Sequence, residues 1–223
     1  MGSTIRLKYG RSLKYEKYFN TWGLGQNETS WNIVEIELNL HNIKIEKPNL
    51  YSMLKDTRIN YSILYKKFAD YCNSFSEKLN LCGLSLGGIL ALDYSKEFPE
   101  KVNSLILIGT PYKIPKFLFK LQGIIFHITP KSTFEKIGCT KGDFISLVAS
   151  MGDLDIETNL DKIDCKTLIL CGIKDKQNME NAKLLNKTIK NSSFKTVSNA
   201  SHVVNVDNPK DLSNMIYDFW REK

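Results

Sequence analysis

The chain has 223 residues, 42% of them hydrophobic and 25% charged, and a formal net charge of +7. That length accommodates one sizeable core but not two comfortable domains, and the composition argues against disorder, collagen-like repeats and small disulfide scaffolds. No stretch approaches the roughly 20 apolar residues of a bilayer span. The first residues, Met1–Arg6, lack the apolar core of a signal peptide, and Arg6 stands where a myristoylation signal requires Ser or Thr.

In chain order, Leu13–Phe19 reads as a lysine-rich strand. Trp31, Val34 and Leu38 fit a helix over Glu28–Leu40, although Ile36, Leu38 and Leu40 also alternate like a strand; a strand at Asn42–Glu46 follows. Asn60–Glu77 carries Ile63, Leu64, Phe68 and Tyr71 at helical spacing. Leu79–Gly83 is an apolar run ending in glycine, and Gly87–Phe98 is a helix stopped by Pro99. Ser104–Gly109 and Thr167–Gly172 are apolar runs rich in Ile and Leu, with Phe194–Val197 a weaker one. Such runs suit strands buried on both faces. Met179–Lys190 and Pro209–Arg221 are the remaining helices. Strands alternating with helices predict an α/β fold, a mostly parallel sheet with helices on both faces, in a single domain over 1–223. Residues 112–164 break the alternation and read as a cap insertion. Within it Phe117, Leu121 and Ile125 belong to an apolar helix with a basic flank, ended by Pro130.

The charge is uneven. Residues 1–20 contribute +4 and residues 112–142 contribute +5, the latter through six lysines against Glu135. A solvated lysine face is the simplest account, and no nucleic-acid motif accompanies it. Five cysteines form no CxxC pair, and three histidines show no ligand spacing. Reduced thiols, a cytoplasmic setting and no structural zinc are expected.

The segment Cys82-Gly83-Leu84-Ser85-Leu86-Gly87-Gly88 reads G-x-S-x-G between a strand and a helix. A serine on so sharp a turn projects from the sheet, and the helix start behind it offers free N–H groups to a developing oxyanion. Serine needs a base. His202 follows the last short strand on a loop at the carboxyl edge of the sheet, whereas His127 sits in an apolar run and His41 at a helix-to-strand turn. Asp175 stands three residues beyond Gly172 on that same edge. Asp153, Asp155, Asp161 and Asp164 precede the strand. The order Ser85, Asp175, His202 is that of a nucleophile, an orienting carboxylate and a base.

Through Gly83–Gly88, Leu170–Asp175, Asn199–Pro209 and Phe98–Val102 the chain resembles the α/β-hydrolase superfamily, over about Trp22 to Trp220. Its size resembles the small carboxylesterase and acyl-hydrolase branch, similar to pimeloyl-carrier-protein methyl esterases and menaquinone-pathway lyases. The resemblance implies an oxyanion hole from the Trp22 and Leu86 amides, within a first loop, Phe19–Gly25, that carries Asn20-Thr21 where the family usually has His-Gly. It implies a serine hydrolase with an apolar acyl pocket, including Phe117, Leu121 and Ile125, and no metal or organic cofactor. The expected substrate is a small ester or thioester, with an acidic acyl carrier as a further partner. Acyl transfer, cofactor-free lyase chemistry and C–C hydrolysis use the same triad, and the motifs do not separate them. A catalytically silent binding module and a membrane-surface role for the basic segment 112–142 are the readings from other classes.

Overall fold

The computed structural model describes residues 17–21, 23–54, 59–113 and 129–222. Among the described residues there are six strands, β1 (Lys17–Thr21), β2 (Ile45–Glu46), β3 (Leu79–Leu84), β4 (Val102–Ile108), β5 (Lys166–Gly172) and β6 (Ser192–Val197). All pair in parallel, in the order β2-β1-β3-β4-β5-β6. The helices are α1 (Asn32–Asn39), α2 (Tyr61–Asn73), α3 (Leu86–Glu97), α4 (Lys131–Glu135), α5 (Lys141–Ser150), α6 (Lys176–Thr188), α7 (Val204–Asp207) and α8 (Pro209–Arg221).

The central strands are apolar because both faces are covered. Every residue of β3 is buried, as is β4 from Ser104 onward and β5 from Thr167 onward. The polar exceptions have partners: buried Asn80 of β3 accepts hydrogen bonds from Ser104 Oγ and Asn103 Nδ2 of β4, each at 2.7 Å. Right-handed crossovers put α1 on one face of the sheet and α2, α3 and α6 on the other, while α8 follows the last strand and is placed by its packing. In agreement, α1 packs against α8, and α2 against α3. Local signals start the helices. The Asn60 side chain accepts the Ile63 N–H at the start of α2, and Asn208 with Pro209 opens α8. In α8, Leu212, Ile216 and Phe219 recur at helical spacing and are all buried.

The predicted elements reappear with shifted ends. The first strand is Lys17–Thr21, running past the end of the expected Leu13–Phe19, whose first four residues lie outside the described residues. The second keeps only Ile45–Glu46 of the expected Asn42–Glu46, because it lies on the sheet's edge and pairs with β1 alone. The helix over 28–40 begins as a 3-10 turn, Glu28–Trp31, and continues as α1. The strand alternative for this stretch fails because Trp31, Val34 and Leu38 share the buried face. Within 112–164 the structure forms α4 and α5, neither assigned from the sequence. The apolar helix expected around Phe117, Leu121 and Ile125 lies outside the described residues.

The strand order reverses direction between β1 and β3. In open parallel sheets the carboxyl ends beside such a switch point form the crevice where ligands bind. The loop from Gly23 leaves β1 there, and Ser85 leaves β3 beside it.

Candidate active site

Ser85 sits between β3 and α3 with φ +53° and ψ −111°, a conformation an L side chain rarely takes. The turn is held from two sides. The Ser85 N–H donates to Ile108 O at the end of β4 (2.9 Å), and Ile89 N–H donates to Ser85 O (3.0 Å). A Cβ on Gly83 would come within 2.3 Å of Gly87 O, so only glycine lets the strand end and the helix start approach this closely. The Ser85 hydroxyl does not cap α3 and is half-buried. Leu86 is the first residue of α3, where helix geometry leaves N–H groups without helical partners, and no acidic residue occupies that first turn. Trp22 lies outside the described residues.

Asp175 follows β5 and caps α6, its Oδ1 accepting the Asn178 N–H at 3.2 Å. Its Oδ2 lies 2.8 Å from His202 Nδ1. The carboxylate is 5% exposed, while the imidazole, at 40%, opens to solvent. Burial alone would raise the Asp175 pKa, but the bonds from His202 and Asn178 outweigh it and hold the carboxyl below the usual range. An ionised carboxylate at Nδ1 keeps the proton on that nitrogen and leaves Nε2 as the basic one. Lys174 and Lys176 flank Asp175 in sequence, yet its carboxylate faces the imidazole and Asn178 instead.

The loop bearing His202 is braced. Lys174 N–H donates to Ala200 O (2.9 Å), and the Asp207 carboxylate accepts both the N–H and the hydroxyl of Ser201. Gly109, at the end of β4, lies between the two halves of the site. Its N–H donates to Leu170 O of β5 at 2.9 Å, its φ is +52°, and a Cβ there would be 3.1 Å from the imidazole. The ends of β3, β4 and β5 are thereby tied together at one edge of the sheet. Among the described residues the Ser85 hydroxyl makes no hydrogen bond to the imidazole; the side chains share the edge rather than a bond. In unliganded sites such bonds are commonly long and tighten only on the substrate.

Gly109→Ala is expected to combine φ strain with contact against the ring. Catalytic activity should fall at least tenfold with a smaller loss of thermal stability, checked by steady-state kinetics beside a melting curve. Activity equal to wild type would show that the ring tolerates displacement.

The sequence located Ser85, Leu86, Asp175 and His202 on one sheet edge and missed Gly109 and Asn178. The spacing Asp175-x-x-Asn178 at a helix start was a readable sign of the second, since it is that of an N-cap and its third helical residue. The other carboxylates lie elsewhere: Asp155 accepts the Thr158 N–H at 3.0 Å in a cleft with Tyr65, Asp93 and Glu97. His41 stacks on Tyr217 with ring centroids 4.0 Å apart. His127, Phe117, Leu121 and Ile125 are outside the described residues. Cys72, Cys82 and Cys171 are buried, and all five cysteines are free. Burial pushes the Cys171 thiol up to about 12, which keeps it protonated and unreactive. Among the described residues no cluster of His, Cys, Asp and Glu fits a metal ion, and no helix is long and apolar enough to cross a membrane.

Comparison with solved structures shows which fold this is. An esterase from Thermogutta terrifontis superposes with a TM-score of 0.78 over 92% of this chain and 89% of its own, at 19% identity. The chain has the α/β-hydrolase fold. Sequence relatives agree, at a distance. The α/β-hydrolase domain-containing protein VTE7 of Arabidopsis thaliana is 25% identical over 174 residues, covering 62% of this chain and 52% of that protein. The monoacylglycerol lipase ABHD6 of Rattus norvegicus is 26% identical over 125 residues, covering 54% of this chain and 35% of that protein. The chain thus spans about half or less of the length of these curated relatives. No family model matches the chain.

Proposed function

We propose that the chain is a serine hydrolase cleaving a carboxylic ester or thioester with an apolar acyl group. The observation that supports this best is the 2.8 Å His202–Asp175 bond on the sheet edge from which Ser85 emerges at positive φ. In this reading Ser85 Oγ attacks the substrate carbonyl as His202 Nε2 takes its proton. Asp175 keeps the imidazole in the tautomer that accepts at Nε2 and stabilises the imidazolium that forms. The tetrahedral oxyanion is received by the Leu86 N–H and, from the loop after β1, by the Trp22 N–H. Collapse expels the alcohol or thiol, which takes the proton from His202 and leaves an acyl group on Ser85. A water, deprotonated by His202, attacks that acyl group. The acid leaves and Ser85 is restored, with every proton passing through one imidazole.

The names of similar proteins, an esterase and a monoacylglycerol lipase, agree with hydrolysis of an ester. The cap over 112–164 supplies the acyl pocket in this reading, with Phe117, Leu121 and Ile125 among its walls. Such a pocket grades chain length gently, at roughly 1–3 kcal/mol per methylene. A panel of p-nitrophenyl esters of increasing acyl length tests this. kcat/KM should climb with chain length and then level off, and a flat, near-background response would remove the apolar-acyl reading.

The six lysines in 112–142 favour one refinement, an acyl group delivered on an acidic carrier. Steering by exposed charge is screened over a Debye length of about 10 Å at 0.1 M salt. kcat/KM for an anionic-carrier substrate should therefore fall steeply with salt while that for a neutral ester stays level, and charge reversal at Lys116 and Lys120 should abolish the difference. Parallel salt profiles would leave the lysines as a solvated face.

A further inference from the structure

We propose that Asn178 is a positioning residue that sets the proton affinity of His202 by sharing the Asp175 carboxylate with it. This rests on the reading of Asp175 and His202 as orienter and base, though its physical content is a statement about the imidazole alone.

The geometry is a three-way contact. Asn178 Nδ2 lies 3.1 Å from Asp175 Oδ1, 3.0 Å from Asp175 Oδ2 and 3.2 Å from His202 Nδ1. An amide nitrogen only donates, and its two N–H groups diverge too widely to take one oxygen of the same carboxylate each, so a single N–H is shared between Oδ1 and Oδ2. His202 Nδ1 has the shorter contact, 2.8 Å to Oδ2, where the acceptor is ionised. The ring's own N–H therefore points at Oδ2, and Asn178 and His202 compete for that oxygen. The competition draws charge density away from the imidazole and lessens the carboxylate's stabilisation of imidazolium. The shared N–H also holds the carboxylate against rotation away from the ring. Asn178 is thus more than a helix-start residue. The capping bond uses its backbone N–H, at 3.2 Å to Oδ1, and survives any side-chain change.

The other polar groups around the pair are accounted for. Cys171 Sγ donates to the Asp175 backbone carbonyl at 3.7 Å and is a neutral thiol. Lys174, in the β5–α6 turn, favours the ionised form of Asp207, and Asp207 is occupied by Ser201, next to His202. Ser85 contributes an uncharged hydroxyl from the β3–α3 turn. None of these changes when the Asn178 side chain is replaced.

The test is a proton NMR titration of the histidine rings in the full chain, with His202→Ala assigning the His202 resonance and His41 as internal reference. In Asn178→Ala the His202 pKa should rise by about half to one unit, and in Asn178→Asp it should rise further, while His41 stays put. The acid limb of kcat/KM should move upward by the same amount, and kcat should fall more than KM changes. If Asn178→Asp does not fold, Asn178→Ala alone decides. His202 titrating at its wild-type value would overturn the proposal, since a purely structural asparagine alters melting and leaves the ring's proton affinity alone. The titration needs no substrate. A shifted ring in an inactive protein would fail the hydrolase reading and keep this one, and an active enzyme with an unshifted ring would do the reverse.

Discussion

Ser85→Ala is expected to lower kcat for ester hydrolysis on the order of 10⁶-fold, to the level of the uncatalysed reaction plus what binding and oxyanion donors contribute alone. The nearby Cys171 is no substitute for the hydroxyl, since its buried thiol is protonated and its Sγ is engaged with the Asp175 backbone carbonyl. The fold should survive, and a modest gain in stability is expected. Alanine removes no hydrogen bond that the turn depends on, because the turn is held by the Ser85 N–H and carbonyl. Steady-state kinetics beside a melting curve check both halves. His202→Ala should be about as damaging, because the members of such a group act as a unit. Were His127→Ala the inactivating change, the base would be misassigned.

Asp175→Asn is expected to lower kcat by roughly 10⁴-fold with little change in KM. An amide at this position offers its N–H to His202 Nδ1, which turns Nδ1 into the acceptor and moves the ring proton to Nε2, the nitrogen that must be free. The same substitution carries a pH signature. The folded Asp175 pKa lies below its ordinary value, so the carboxylate contributes stability that is present above the ordinary carboxylate range and lost as pH falls through the depressed folded value. Asp175→Asn should therefore destabilise the protein at neutral pH and flatten its loss of stability on acidification. Urea unfolding at neutral and at acid pH measures the two together. An unchanged rate would point to another carboxylate, with Asp153 and Asp155 next to be replaced.

The legible parts of this chain were those where one physical cause dominated. The runs at β3, β4 and β5 read as strands because burial on both faces leaves no room for polar alternation. The Ser85 turn read correctly because G-x-S-x-G has a steric reason at each glycine. Chain order and strand ends then brought Asp175 and His202 to the same edge. What stayed hidden depends on tertiary context. The two-residue β2 exists only through pairing with β1, so its own sequence overstated it. Helices α4 and α5 lie in 112–164, where the sequence follows no strand–helix alternation. Gly109 looked like the end of an apolar run, and its positive φ beside the imidazole is a product of the assembled sheet. Asn178 falls just outside the helix expected over Met179–Lys190, and its contact with the carboxylate appears only in the folded chain.

Labelling with a fluorophosphonate, followed by digestion and tandem mass spectrometry, tests the central claim most directly. The reagent reacts with a hydroxyl only where a base and an oxyanion site activate it. The account predicts one adduct on the tryptic peptide Leu79–Lys96, located on Ser85, formed in the wild type and absent from both Ser85→Ala and His202→Ala. A folded wild-type protein that takes up no label, or takes it up on another residue, would contradict it.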